Sequence, residues 1–146
     1  MIDRIQPARR MMADLARQSA DHESFRLHLE RRDVERQEGA ALAATCAHVR
    51  GPLVYFVEAG VGGPIKVGWT ADSLYDRITA LQTGNPLRLD PVAAFRGDLW
   101  REGLVHRLLG ADRIRGEWFE RRPALDLFVL VREYDSSLVL FDAEAA

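Results

Sequence analysis

The stretch Leu53-Val54-Tyr55-Phe56-Val57, then Gly60-Val61-Gly62-Gly63-Pro64, then Ile65-Lys66-Val67-Gly68-Trp69, decides the fold. Both outer runs are rich in β-branched and aromatic residues, and the glycines between them form a turn. This predicts a β-hairpin with a loop longer than two residues. Downstream, Thr70 or Asp72 is placed to cap a helix through Leu81 whose apolar stripe is Leu74, Ile78 and Leu81. Gly84-Asn85-Pro86 ends that helix, and Leu89 to Phe95 predicts a third strand. Asp98 opens a helix through Leu109, with Trp100, Leu104, Val105 and Leu108 on one side. After a Gly116-Glu117-Trp118-Phe119 turn, Pro123 opens a last helix through about Tyr134. The order β-β-α-β-α-α predicts a small mixed α+β domain over residues 51–134.

Upstream, residues 1–50 predict an N-terminal helical arm. Pro7 suits a first helical turn, Ala8 to Ala20 contains helix formers, Asp21 starts a second run, and Gly39 is a break before Ala40 to Val49. Arg31, Arg32 and Arg36 interleave with Glu30, Asp33, Glu35 and Glu38, the pattern of a solvated face with i,i+4 pairs. No heptad is sustained. Residues 135–146 are left as an acidic C-terminal tail.

Composition bounds the class. The 146 residues are 47% hydrophobic and 29% charged, which suffices for a packed core of one domain or a small domain with an appendage. The single cysteine, Cys46, excludes a disulfide framework and a multi-cysteine zinc site, and is expected to be a small buried hydrophobe. The longest apolar runs, around Leu125 and from Leu127 to Val131, are too short to span a bilayer. Met1 opens into Asp3 and Arg4, not into a secretory apolar segment, so a soluble cytoplasmic chain without membrane contact is expected.

The net charge of −2 carries no global signal for nucleic acid. It is uneven: residues 1–50 and 51–122 are each net +1, and residues 123–146 are net −4. Among the 20 basic residues, Lys66 is the only lysine.

No P-loop, GxGxxG, HExxH or GxSxG occurs. What remains is a polar set on the predicted elements. Tyr55 lies on the first hairpin strand and Lys66 on the second. Arg77 falls about 60° from Leu74 around its helix, half-buried beside the apolar stripe. Glu102 and His106 are an i,i+4 pair at the edge of the next helix's apolar arc. A phosphoryl-transfer site would use such groups. Arginine holds phosphate, a carboxylate holds a hard cation, and a phenol, amine or imidazole orients or deprotonates water.

The order Val54-Tyr55-Phe56, Lys66-Val67-Gly68 and Arg77 resembles the GIY-YIG nuclease superfamily. The closest likeness is to a phage-type branch whose second motif reads Ile-Lys-Ile/Val-Gly. Leu81-Gln82-Thr83-Gly84-Asn85-Pro86, Glu102-x-x-x-His106 and Gly116-Glu117-Trp118-Phe119 continue that branch's pattern, so the resemblance covers residues 53–120. It implies a hairpin-based endonuclease that hydrolyses DNA phosphodiester bonds with a single divalent metal, Mg²⁺ or Mn²⁺. Tyr55 would line the scissile phosphate and place water, Arg77 would stabilise phosphate charge, and Glu102 would anchor the metal. His106 would relay a proton or bind phosphate, and Glu117 belongs to the pattern without a settled role. Lys66, Trp69, Arg77 and Asn85 are the expected nucleic-acid contacts.

Two positions depart from the family. Leu53 replaces the first-motif glycine. Lys66 replaces the second-motif tyrosine, a candidate general base; a lysine acts as a base only where burial or a neighbouring cation depresses its pKa, and otherwise clamps phosphate. Two alternatives follow: a binding module that keeps the fold without catalysis, and a protein-interaction adaptor that uses residues 1–50, which also offer a homodimer surface. Arg4, Arg9, Arg10, Arg31 and Arg32 are candidate phosphate contacts in the arm, and RNA is a second candidate partner. Taken singly, each residue has a plainer role: Tyr55 as a rim aromatic, Lys66 as an outward strand residue, Arg77 in an ion pair with Asp76 or Asp98, Glu102–His106 as a surface pair.

Overall fold

A computed structural model describes residues 5–145. The chain divides into two compact units, Met1–Ala41 and Leu42–Ala146. Among the described residues are four α-helices and one six-stranded sheet, every pairing of which is antiparallel. No described helix is long and apolar enough to cross a membrane.

Helix α1 runs Ile5–Cys46. The break expected at Gly39 does not occur: one glycine costs only about 1 kcal/mol in a helix, and Ala40 to Ala44 are good helix formers. Ion pairs at helical spacing join Arg26 to Glu30 at 3.6 Å and Arg31 to Glu35 at 3.4 Å. Met11, Met12, Leu15, Phe25, Leu27, Leu29 and Val34 are exposed. Arg9, Arg10, Arg31 and Arg32 are exposed as well, and Arg4 lies outside the described residues.

In the second unit, β1 (Leu53–Ala59) and β2 (Ile65–Thr70) form the expected hairpin, with Gly60 and Gly62 at φ of 71° and 73° in its loop. Then come α2 (Leu74–Gln82), β3 (Leu89–Arg96), α3 (Leu99–Leu108), β4 (Arg113–Arg115), β5 (Trp118–Phe119), α4 (Arg121–Tyr134) and β6 (Val139–Asp142). The strand order is β4-β5-β2-β1-β3-β6. Three of these strands were not expected. β5 falls in what read as a turn and β4 in the unassigned stretch before it, because they are two and three residues long and gain stability only by pairing. β6 falls in the presumed acidic tail, where Arg132 neutralises Asp142 at 2.7 Å and Phe141 enters the core.

Strand β1 is central, which explains its uninterrupted apolar run: it is buried on both faces. Leu53, Tyr55 and Val57 pack with Leu74 and Ile78 of α2 and with Cys46. Val54 and Phe56 face Val105, Leu109, Ala124 and Phe128 on the α3–α4 side, with Phe56 wedged against Phe95 at 6.0 Å and Phe128 at 5.8 Å. Full burial of each such side chain stabilises by about 1.5–3 kcal/mol.

Caps position the two helices that carry polar candidates. Ser73, not Thr70 or Asp72, caps α2, its Oγ accepting from the Asp76 N–H at 3.1 Å. Asp98 caps α3 as expected, accepting from the Arg101 N–H at 3.0 Å. The apolar side assigned to α3 differs: Val105 is buried, whereas Trp100 and Leu108 are exposed. Apolar residues occur all round this helix, so its sequence does not define a single face.

Candidate metal and phosphate site at the edge of strand β2

The site is built on Val67. Its N–H donates to the Glu117 carbonyl at 3.0 Å, extending the β2–β5 ladder in which Lys66 pairs with Trp118. Its carbonyl oxygen lies 2.8 Å from His106 Nε2 of α3. One residue of β2 thus ties both the loop bearing Glu117 and the helix bearing Glu102 and His106.

That second bond settles the imidazole tautomer. A carbonyl only accepts, so His106 Nε2 carries the hydrogen, and in the neutral ring Nδ1 keeps the lone pair. Glu102 Oε1 sits 3.5 Å from the same Nε2. With its side chain only 14% exposed, Glu102 is pushed above the ordinary carboxylate value, first by burial. His106 opposes that shift, Glu117 adds to it, and Lys66 and Arg77 oppose it. A carboxylate held this way gains from a nearby cation.

Lys66 supplies one cation. Its Nζ donates to Glu117 Oε2 at 2.6 Å and lies 5.8 Å from the Trp118 ring centroid. Its side chain is 14% exposed. The amine is therefore held by a carboxylate partner.

Tyr55 and Arg77 complete the group. Tyr55 is fully buried, and its hydroxyl accepts from Arg77 Nε at 3.3 Å. Arg77 is exposed as a residue, not half-buried, with its guanidinium reaching in. That hydrogen bond holds the guanidinium above its ordinary pKa; attraction to Tyr55 acts in the same direction, burial opposes it, and the carboxylates of Glu117 and Glu102 add smaller attractions. Arg77 stays charged. It pairs with neither Asp76 nor Asp98.

Glu102, His106 and Glu117 each present a ligand atom, all within 4.8 Å of one another. Two carboxylates and an imidazole suit a divalent cation that favours oxygen. With His106 Nε2 committed to Val67, the two carboxylates and His106 Nδ1 are the atoms left to meet a cation. No family model, curated protein or solved structure matches this chain.

Two of the expected nucleic-acid contacts also make hydrogen bonds within the fold. The Trp69 indole N–H donates to the Gly97 carbonyl at 2.9 Å, and its ring packs in the α3–α4 core. Asn85 accepts from the Leu87 N–H at 3.0 Å and shapes the turn after α2. Glu117 is the residue whose importance the sequence understated. Its signal was the lone lysine, which needs a carboxylate when half-buried, but the strand pairing that joins them is not visible in sequence.

Proposed function

We propose that this chain is a GIY-YIG-type endonuclease that hydrolyses DNA phosphodiester bonds by water attack, with Mg²⁺ or Mn²⁺ as its metal. The observation that carries the reading is the gathering of the Tyr55 hydroxyl and the Arg77 guanidinium, 3.3 Å apart, in the electrostatic field of the Glu102 and Glu117 carboxylates. A phosphate-binding cation within the field of two carboxylates suits hydrolysis of a phosphodiester.

Glu102 and Glu117 would hold the metal, which would supply positive charge against the scissile phosphate. Arg77 meets the phosphate with its terminal nitrogens, because Nε is occupied by Tyr55. Tyr55, rigid in the core, places the attacking water. His106 offers Nδ1 to receive the proton, its ring held by the Val67 carbonyl. Lys66 adds charge to the phosphate clamp and is not the base.

The test is nicking of supercoiled plasmid in Mg²⁺, Mn²⁺ or EDTA by the wild type, Arg77→Ala and Glu102→Ala. Metal-dependent nicking by the wild type and its loss in both variants is the expected result. No nicking with retained gel-shift binding replaces this reading with a non-catalytic binding module. Neither cleavage nor binding replaces it with an adaptor that acts through α1.

A further inference from the structure

Glu117 has two claims on it. It is the partner of the Lys66 ammonium at 2.6 Å, and it is one of three ligand groups lying within 4.8 Å of one another. A carboxylate shared by an ammonium and a divalent cation in a half-buried space puts like charges side by side, which is unfavourable. Glu102 feels Lys66 and Arg77 as well, so both anionic ligands are already partly neutralised by the chain's own cations. The frame around them does not need to move. Glu117 is tied by its backbone to Val67, and Lys66 pairs with Trp118, so an exchange of partners requires side-chain rotation only.

We infer that Lys66 and the divalent metal compete for Glu117, and that a tetrahedral oxyanion beside Lys66 and Arg77 relieves the competition, so that metal and anion bind with positive coupling. The inference rests on the metal reading of this site and adds its regulation. An anion that takes the Lys66 ammonium frees Glu117 for the metal; by linkage, the metal equally raises the anion's affinity. A compact amine on a flexible stem can change partners in this way, whereas a guanidinium fork is bulkier and prefers a bidentate carboxylate. This gives a role to the one lysine in a chain whose other 19 basic residues are arginine. The metal then binds well only when a phosphate-like group is present, which keeps the site weakly loaded without substrate.

The experiment measures Mn²⁺ binding to the full chain by electron paramagnetic resonance, in chloride and in sulfate at equal ionic strength. Sulfate stands in for the phosphate. The wild type is expected to bind Mn²⁺ about fivefold or more tightly in sulfate, the lower end of ordinary coupling. Lys66→Met should bind more tightly than the wild type in chloride and lose the sulfate effect. Lys66→Gln should do the same and decides the matter if the methionine variant does not fold by circular dichroism. Glu117→Gln should bind weakly in both media. Wild-type binding indifferent to sulfate, or unchanged by both Lys66 substitutions, overturns the inference and leaves the nuclease reading standing. Absence of any wild-type Mn²⁺ binding overturns the metal reading and the inference together.

Discussion

Tyr55 and Gly68 face each other across the β1–β2 ladder, and a Cβ built on Gly68 would lie 2.1 Å from the Tyr55 hydroxyl oxygen. The glycine is there because the phenol passes over its backbone. Without that space the hydroxyl could not reach Arg77. Gly68→Ala is therefore expected to destabilise by about 1–3 kcal/mol, the range for overpacking a core, as read by urea denaturation. Gly103→Ala is its control: nothing lies within 4 Å of that Cβ, and the exposed position in α3 should gain about 0.5–1 kcal/mol.

Tyr55→Phe keeps the ring in the core and removes only the acceptor for Arg77 Nε. Stability should fall by about 1 kcal/mol, whereas nicking should fall about 10²-fold or more if the hydroxyl places the water. Equal proportional losses in folded fraction and activity would show that the hydroxyl is structural alone.

Glu102 carries a stability cost from its burial. Burial raises its folded-state pKa above the ordinary 4.5, so its favourable contribution is present below that value and is lost as pH rises through the folded one. Glu102→Gln should raise the melting temperature at pH 7 in EDTA, with the gain fading toward about pH 4. The same variant should lose Mn²⁺ affinity by at least about tenfold. A variant that melts lower than wild type at pH 7 would contradict this account.

Cys46 is fully buried, and burial pushes its thiol from 9.0 up to about 11. The folded chain retains the proton longer than the unfolded chain, so stability should decline as pH rises from about 9 to about 11. Denaturation of wild type and Cys46→Ala at pH 8 and pH 10 isolates this effect, since the alanine variant lacks it. Reaction with a disulfide reagent at pH 8 should be slow until the protein is unfolded.

Asp98 reaches the Arg101 N–H and sets the start of the helix that carries Glu102 and His106. Asp98→Ala should cost about 1 kcal/mol, measurable as a lower urea midpoint, with Mn²⁺ affinity reduced in the same direction.

Much of the second unit was legible locally. The runs Leu53–Val57 and Ile65–Trp69 carry their own strand signal, the glycines between them demand a turn, and Ile78, Gly84 and Asp98 mark a helix face, a stop and a start. The remaining elements depended on neighbours that propagate a helix or on partners distant in sequence. Gly39 stayed helical because its neighbours propagate the helix. β5 exists because Ile65 and Lys66 pair with it, and β6 because Ala93, Ala94 and Phe95 do.

The candidate site shows the same division. Residue types and spacing determined that Tyr55, Lys66, Arg77, Glu102 and His106 lie on the hairpin and its two following helices. Only the tertiary structure decided that Glu117 meets Lys66, that Trp69 and Asn85 are engaged in packing and a turn, and that His106 turns Nε2 to the Val67 carbonyl. The physical reason is range. Helix and strand signals arise within a few residues, whereas charge pairing and hydrogen-bond commitment depend on which backbone a side chain meets after the sheet has closed.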